Sequence, residues 1–295
     1  MVKAWLSGSK VDLAVIGGSG LYAMEGFEDV ESYRVETPFG DPSDDIVVGR
    51  LAGRRLAFLA RHGRGHTIMP TDVNARANIY ALKKIGVKRI LSVSCCGSLK
   101  ESLEPGHMVV PDQIYDNTKK RTYTFFDQGL VAHVSVADPF CAATGRAAAQ
   151  AARAAGAEVH EGGTYVIIEG PRFSTKAESN VFRHLNFDII GMTAVPEAQL
   201  AREAEICYSV LAHITDYDVW NEKAETATVD SVLRQLKANT SLVNDAVRRF
   251  VQLVDDLEPS CACQSSLADA LITDRTMIPP PTLERVRLLV DKYID

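Results

Sequence analysis

CYSVLAHITDYDVW, residues Cys207–Trp220, is an apolar run that ends in two carboxylates. The run is apolar enough to form a strand that is buried on both faces, as in the parallel sheets of α/β proteins. Asp216 and Asp218 then follow at the carboxyl end of the strand, where open α/β sheets bind their ligands. A carboxyl group there can accept hydrogen bonds from a heteroaromatic base or donate a proton to it. We therefore expect residue 216 to influence which base is accepted.

Strand and helix signals alternate on both sides of this stretch, which is typical of one α/β domain. Buried strands are predicted at residues 13–16, 89–93, 108–110, 164–168 and 189–190, with a hairpin that joins 46–48 to 56–59. Helices are predicted at residues 71–85 (capped by Thr71 or Asp72), 142–155, 175–185, 197–204, 229–254 and 283–293. We expect one domain over residues 11–255, with 256–295 as a C-terminal extension of the same domain.

Composition excludes several classes of protein. The net charge of -6 provides no general attraction to nucleic acid or to an anionic membrane surface. No segment approaches the ~20 consecutive apolar residues of a membrane span. The N-terminus lacks the apolar core and cleavage site of a signal peptide, so we expect a cytoplasmic protein.

The six cysteines do not show the spacing of a zinc site. Neighbouring cysteines are separated by one residue or none, and no paired histidines accompany them. We therefore expect no metal and mostly buried thiols. Cys261-Ala-Cys263 is the exception, because it lies in a polar stretch, and a structural or redox role stays open for it.

A glycine-rich turn follows the first predicted strand. Gly18-Ser-Gly-Leu-Tyr-Ala23 formally matches the dinucleotide-binding pattern, but residues 24–45 contain glycines and prolines where that pattern requires a helix. A turn with bare backbone N–H groups and a serine hydroxyl suits a lone phosphate better. We favour a phosphate loop, and a plain turn remains the alternative.

A second anion-binding pattern is Arg61-His-Gly-Arg-Gly-His66, after the strand at 56–59. Guanidinium groups bind phosphate oxygens in two-point geometry. Taken alone, the pattern would be a basic surface loop, as we expect for Lys119-Lys-Arg121. Hydroxyl groups that follow other strands change this, because several strand ends can converge on one anion. These hydroxyl groups belong to Ser19, Ser94 and Thr193.

Two further segments leave predicted strands. In Glu169-Gly-Pro-Arg-Phe-Ser174, the ring of Phe173 offers a flat apolar face for a purine, or else is simply part of the core. In Gly191-Met-Thr-Ala-Val-Pro-Glu197, Pro196 suits the first helical position and Glu197 the positive end of the helix dipole. Thr193 could be only a helix cap and Met192 only a core residue.

Five motifs in this order closely resemble the trimeric purine nucleoside phosphorylase family over about residues 13–254. The motifs are GGSGL at 17–21, RHGRGHTIMP at 61–70, EGPRFS at 169–174, GMTAVPE at 191–197 and TDYDVW at 215–220. The resemblance implies a mixed, distorted β-sheet surrounded by helices. It also implies a homotrimer with sites near the subunit interfaces.

The resemblance further implies a set of site residues. Phosphate contacts are expected from Ser19, Arg61, His62, Ser94 and Thr193; the family commonly has threonine at the positions of Ser19 and Ser94, but the hydroxyl donor is kept. The nucleoside is expected to contact Cys95, Phe173, Ser174, Met192, Asp216 and Asp218. The 5′ end of the nucleoside is expected to contact His133 of a neighbouring subunit. The apolar 5′ pocket is expected from Val229, Val232 and Leu233, whose helical spacing fits a core role nearly as well.

The activity implied by the resemblance is phosphorolysis of 5′-methylthioadenosine to adenine and 5-methylthioribose 1-phosphate. Phosphate is then a co-substrate, and no cofactor is expected. Asp216 is expected to protonate N7 as a general acid, with Asp218 tuning its pKa. A carboxylate at 216 also favours a 6-amino purine, since a 6-oxo purine prefers an amide donor. The alternatives are phosphorolysis of 6-oxopurine nucleosides or methylthioinosine, hydrolysis without phosphate, a dehydrogenase, and a nucleotide-binding module without turnover.

Overall fold

The computed structural model describes residues 11–18, 24, 26–222, 228–254 and 261–294. In these residues one mixed sheet of eleven strands is surrounded by six α-helices. The strands are β1 (Leu13–Gly17), β2 (Phe27–Tyr33), β3 (Ile46–Leu51), β4 (Arg54–Ala60), β5 (Arg89–Ser98), β6 (Met108–Val110), β7 (Gln113–Asn117), β8 (Val159–Glu161), β9 (Thr164–Ile168), β10 (Ile189–Gly191) and β11 (Cys207–Asp216). The helices are α1 (Ala75–Lys84), α2 (Ala142–Ala154), α3 (Lys176–His184), α4 (Glu197–Glu203), α5 (Val229–Leu253) and α6 (Pro280–Ile294).

Strand β5 organises the sheet because it changes partner along its length. Its first half pairs in parallel with β1, ending at the pair Ile16 and Ser92. Its second half pairs with β10 in the antiparallel direction, through Gly97 and Ser98. Strand β11 runs parallel to β5 on a separate edge for almost its full length. This change of partner distorts the sheet, as the family resemblance implied.

The central strands β1, β5 and β11 are buried on both faces of the sheet, as the apolar runs predicted. Ala14 and Ile16 of β1 pack with α1 and α4 on one face. Leu13 and Val15 pack with α2 and α5 on the other. Since alternate residues of a strand point to opposite faces, only a continuous apolar run satisfies both layers.

The sequence located most elements but placed two helix starts wrongly, since α6 begins at Pro280 and not at Leu283, and α1 begins later than predicted. A 3-10 turn occupies Pro70–Asp72, Val73 is extended, and α1 begins only after Asn74. The Asn74 side chain accepts a hydrogen bond from the N–H of Ala77, which makes it the cap in place of Thr71 or Asp72. Strand β5 also extends past its predicted end, because β11 continues to pair with it as far as Gly97.

Three strands were missed, and each is polar or very short. Strand β2 is exposed along most of its length, β7 is largely exposed, and β8 has three residues. Such strands lack the apolar pattern that identifies buried ones, so only their pairing partners reveal them.

The C-terminal residues 261–294 pack against the domain. Leu267, Val286 and Val290 lie in the same apolar core as α1 and α4. The N–H of His133 donates to the carbonyl of Ala270 over 2.9 Å, which joins this segment to the loop that carries His133. Within the described residues, no helix is long and apolar enough to cross a membrane.

Candidate active site

The strand pairing leaves a gap, called the cleft from here on, where β5 changes partner. Between Ser92 and Gly97, β5 has no partner on the β1/β10 edge among the described strands. Ser94 lies in this interval, and Thr193 follows the end of β10. Their hydroxyl oxygens are 2.8 Å apart, so the structure brings together two of the predicted phosphate ligands. The cleft is a switch point of the sheet, the usual position of a ligand in α/β folds.

Tyr165 supports this pair of hydroxyls from β9. Its phenol oxygen lies 3.0 Å from Thr193 Oγ1 and is fully buried. Gly191 has no side chain to displace the Tyr165 ring, which closely approaches its backbone. Ala194 next to Thr193 has φ of 65°, the left-handed conformation that a residue with a Cβ adopts only at a cost. Thr193 is therefore held in place on both sides.

Arg61 follows β4 and is buried as one half of an ion pair. Its Nε and Nη2 donate to the two oxygens of Glu197 over 2.5 and 3.1 Å. Nη2 also donates to Ser92 Oγ over 2.6 Å, and Nη1 to the carbonyl of Val93 over 3.3 Å. Both side chains are at most 4% exposed.

This pairing changes the expected role of Arg61. Burial lowers the pKa of Arg61, but the carboxylate of Glu197 raises it by more, so both partners are ionised. The two-point face of the guanidinium, which the sequence led us to assign to phosphate, is occupied by Glu197. Of the five N–H groups of the Arg61 side chain, four donate to described residues, and one on Nη1 has no partner among them and is available to a ligand. The net positive charge that Arg61 offers an anion is correspondingly small.

His62, the next residue, is a neutral acceptor. Burial lowers its pKa to about 4, and the charge of Arg61 adds to the decrease. Its Nδ1 lies 2.9 Å from the carbonyl oxygen of Ile68, which can only accept, so Nδ1 carries the proton. In a neutral imidazole Nε2 is then an acceptor. His62 can thus receive a hydrogen bond from a protonated phosphate oxygen but does not donate one.

Ser19, the remaining expected phosphate ligand, lies outside the described residues.

The basic segment at residues 119–121 lies partly at the surface and partly in the interior. Lys119 and Lys120 are exposed, as expected. For Arg121 the expectation of a solvated loop is wrong, because its side chain is 4% exposed and donates to the carbonyls of Val195, Ile168 and Glu169. Buried loop carbonyls need donors, and this guanidinium supplies them.

Asp216 ends β11 at an irregularity in the strand pairing. The register shifts between Ile214 and Asp216, so that Asp216 lies opposite Gly97 of β5. A Cβ at position 97 would lie 2.9 Å from Asp216 Oδ1, so only glycine leaves room for the carboxylate. Oδ1 accepts the N–H of Asp218 and Oδ2 accepts the hydroxyl of Thr215, both over 2.7 Å.

These contacts determine where Asp216 can hold a proton. Burial raises the pKa of Asp216, and the Thr215 hydroxyl and Asp218 N–H oppose the increase. The N–H of Asp218 can only donate, so Oδ1 must stay an acceptor. The Thr215 hydroxyl can rotate and accept instead. Oδ2 is therefore the oxygen that can carry a proton to a base.

Asp218 is more deeply buried than Asp216 and lies beside two serine hydroxyls, those of Ser174 and Ser179. Burial raises its pKa; the nearby hydroxyl of Ser179 opposes the increase and the charge of Asp216 adds to it. Among the residues that the structure describes, Asp218 Oδ2 and the hydroxyl of Ser174 are both buried without a well-aligned hydrogen-bond partner. Buried polar groups in proteins are nearly always paired, so these two atoms are candidates for ligand contacts.

Three of the apolar residues expected near a nucleoside are exposed and do not belong to the core. Phe173 is 38% exposed, and Met192 is half-buried against the backbone of Gly170. Val229 and Leu233 are 65% and 55% exposed at the start of α5, with Val232 half-buried between them. This excludes the core alternative for Phe173, Val229 and Leu233. His133 is also exposed, on the loop that contacts Ala270.

Cys95 and His213 form a thiol–imidazole contact on the neighbouring strands β5 and β11. Cys95 Sγ lies 3.1 Å from His213 Nε2, while the buried Nδ1 of His213 has no hydrogen-bond partner in the described part of the chain. Burial lowers the pKa of His213 to about 4. The imidazole is therefore neutral at physiological pH.

We predict an acid sensitivity from His213. With a folded-state pKa below that of the unfolded chain, the unfolded state binds the proton more readily as the pH falls. The free energy of unfolding should therefore decrease from about pH 6.5 to about pH 4, by up to about 3 kcal/mol from this residue. Denaturant titration of His213→Gln at several pH values should show a weaker decrease than the parent. His184→Gln, at an exposed position, is the control, and equal pH dependence in both variants would contradict the prediction.

Four supporting residues were not predicted from the sequence. Glu197 was interpreted only as a helix-dipole residue, although it is the buried partner of Arg61 and also accepts the hydroxyl of Tyr208 over 2.8 Å. The apolar pattern places Tyr165 and Tyr208 within predicted strands and Gly97 four residues beyond the predicted end of one, and it gives no sign of their supporting roles. The only available signal was a polar or small residue within a strand that is otherwise apolar.

Comparison with known proteins identifies the family. The sequence matches the phosphorylase superfamily over residues 12–252. It is 52% identical over 283 residues to an S-methyl-5′-thioadenosine phosphorylase of Geobacter sulfurreducens, covering 96% of this chain and 99% of that protein. It is also 52% identical over 269 residues to an S-methyl-5′-thioadenosine phosphorylase of Hyperthermus butylicus, covering 89% of this chain and 96% of that one.

Solved structures agree with these sequence matches. A methylthioadenosine phosphorylase from an antarctic soil metagenomic library superimposes with a TM-score of 0.91 at 45% identity, covering 96% of this chain and 99% of that one. The methylthioadenosine phosphorylase of Schistosoma mansoni in complex with adenine gives a TM-score of 0.81 at 38% identity, covering 87% and 96%. The chain therefore belongs to the phosphorylase superfamily and, within it, to the S-methyl-5′-thioadenosine phosphorylase family.

Proposed function

We propose that the chain catalyses the phosphorolysis of 5′-methylthioadenosine to adenine and 5-methylthioribose 1-phosphate. The observation that carries this proposal is the position of two polar clusters along one strand. The hydroxyl of Ser94 marks the anion end of the cleft, and the carboxylate opposite Gly97 marks the base end. Three residues of a strand span roughly 10 Å, a distance that suits a nucleoside between phosphate and base.

The anion end would bind hydrogen phosphate by complementary hydrogen bonds rather than by excess charge. Ser94, Thr193 and the remaining Nη1 donor of Arg61 would donate to its oxygens. His62 Nε2 would accept the hydrogen bond of its O–H, since His62 is neutral. Phosphate held in this way would be positioned to attack C1′ and to stabilise the positive charge that develops on the sugar.

The base end would bind and protonate adenine. Asp216 Oδ2 can supply the proton for N7 of the departing base, and such a general acid contributes ~10²–10⁴-fold to rate. Asp218 Oδ2 and the hydroxyl of Ser174, neither of which has a well-aligned hydrogen-bond partner among the described residues, can pair with the polar edge of the purine. Phe173 supplies an exposed ring on which the purine can stack. Phosphate is the only co-reactant in this scheme, which includes no cofactor.

The 5′ end of the nucleoside would be enclosed by residues that are exposed in the single chain. Val229 and Leu233 provide apolar surface for a methylthio group, and His133 provides a ring from a neighbouring subunit. Val131 and Val136 flank His133 and are also exposed, which suits a surface that is covered on assembly. We propose a homo-oligomer, a trimer by resemblance, in which each site is completed by its neighbour.

Phosphate dependence tests the reaction directly. Purified protein given 5′-methylthioadenosine should release adenine only when phosphate or arsenate is added, measured by chromatography of the base. Release without either anion would make the protein a hydrolase. A parallel panel with adenosine, inosine and methylthioinosine should show a preference for the 6-amino nucleosides; a preference for the 6-oxo forms would overturn the substrate assignment.

A further inference from the structure

Four of the six cysteines lie in one cluster, although they come from three separate parts of the sequence. The sulfur atoms of Cys141, Cys207, Cys261 and Cys263 all lie within 4.8 Å of one another. Cys207 Sγ and Cys261 Sγ are 3.1 Å apart, and all six cysteines of the chain are free thiols. The spacing that disfavours a metal site is that of cysteines adjacent in the sequence, Cys95 with Cys96 and Cys261 with Cys263. The fold adds Cys141 and Cys207 from separate elements to the Cys261-Ala-Cys263 pair.

Three different parts of the fold contribute these thiols. Cys141 precedes α2 as its N-cap, and Cys207 is the first residue of β11. Cys261 and Cys263 lie at the start of the C-terminal segment, beside and within a 3-10 turn over Ala262–Ser265. The cluster thus links that segment to the centre of the sheet.

The dimensions suit tetrahedral coordination. Zn²⁺ binds cysteine sulfur at about 2.3 Å, which places the four sulfurs of a tetrahedral site roughly 3.8 Å apart. The observed limit of 4.8 Å is within a small side-chain adjustment of that value. Two separate disulfides would instead divide the cluster into pairs, each with a sulfur–sulfur distance of about 2.05 Å.

The surroundings also favour thiolates. Cys141, Cys207 and Cys263 are buried, which protects metal–sulfur bonds from water. Arg202 Nη1 lies 3.4 Å from Cys263 Sγ, and the N-terminus of the thirteen-residue helix α2 lies at Cys141. Four thiolates with one divalent ion carry a net charge of about −2, which a guanidinium and a helix N-terminus partly offset.

We propose that Cys141, Cys207, Cys261 and Cys263 bind one divalent transition metal ion, with Zn²⁺ as the first candidate. Four protein ligands leave no open position, so the site is structural and takes no part in catalysis. Cys207 and Asp216 are at opposite ends of β11, roughly 30 Å apart. The metal would therefore act on stability, by fastening residues 261–294 to β11 and α2.

Metal analysis of variants tests this proposal. Protein purified under reducing conditions from zinc-supplemented medium should contain about one zinc per chain by mass spectrometry of metals. Cys261→Ser, at a partly exposed position, and Cys141→Ser should each lose most of that zinc. Cys96→Ser, at a buried thiol outside the cluster, should retain it.

A second measurement keeps the proposal testable if a variant folds poorly. Co²⁺ added to metal-free protein should produce thiolate-to-cobalt charge-transfer bands and the intense ligand-field bands of a tetrahedral site, and Cys261→Ser should weaken both. Chelation should lower the melting temperature without changing the preference for adenine over hypoxanthine nucleosides. Absence of stoichiometric metal, with four free thiols or with disulfides among these four cysteines, would overturn the proposal.

Discussion

Asp216→Asn should lower turnover of 5′-methylthioadenosine by about 10²-fold or more, because an amide has no acidic proton to give N7. The same change should reverse part of the base preference. An asparagine NH₂ group donates to O6 of hypoxanthine, whereas it would face the 6-amino group of adenine as a second donor. The ratio of kcat/KM values for methylthioinosine and methylthioadenosine should therefore rise, and steady-state kinetics on both substrates measures it.

Two controls separate this effect from a general loss of structure. Asp41→Asn removes an exposed carboxylate that pairs with Arg34 on the surface. It should leave both the kcat/KM ratio of the two substrates and the turnover of 5′-methylthioadenosine unchanged. Gly97→Ala forces a methyl group against Asp216 Oδ1 and should lower the rate without introducing an amide donor. An unchanged substrate ratio in Asp216→Asn would remove Asp216 from base recognition.

Glu197→Gln should lower the free energy of unfolding by about 3–5 kcal/mol, the usual cost of leaving one charge of a buried pair without its partner. Arg61 would then remain charged and buried, with a neutral amide opposite it. Denaturant titration at a fixed protein concentration measures the change. Asp41→Asn again serves as the matched control, since breaking an exposed pair costs at most about 1 kcal/mol.

The double variant Arg61→Met with Glu197→Met then separates the structural role of Arg61 from phosphate binding. Replacing both charges by apolar side chains removes the unpaired charge, so stability should recover relative to either single change. The KM for phosphate should still be raised, because the last Nη1 donor is gone, while the KM for nucleoside changes less. Recovery of both stability and phosphate KM would show that Arg61 serves only to hold Glu197.

Local sequence patterns were sufficient for the elements that carry the site. Apolar runs located β1, β5, β10 and β11 because each is buried on both faces. Capping chemistry placed the start of α3, where Thr175 and Glu178 form a capping box. The same logic failed at α1, where Thr71 and Asp72 are plausible caps but Asn74 is the one in place.

Pairing between distant residues could not be inferred in the same way. Nothing in Arg61 or Glu197, 136 residues apart, indicates that they neutralise each other. Nothing in four scattered cysteines indicates that their sulfurs converge. Such contacts depend on how the strands are ordered in the sheet, which local periodicity does not encode.

By itself the sequence determined the alternation of strands and helices, the order of the five motifs and the presence of a carboxylate at residue 216. These are local properties, since side-chain type and spacing along the chain are sufficient to produce them. Only the tertiary structure decided that β5 leaves β1 for β10 and opens a cleft at Ser94, and that the fork of Arg61 is already bound to Glu197. It also decided that Oδ2 of Asp216 is the oxygen that can carry a proton. The fold places the N–H of Asp218, which can only donate, against Oδ1 and the rotatable hydroxyl of Thr215 against Oδ2.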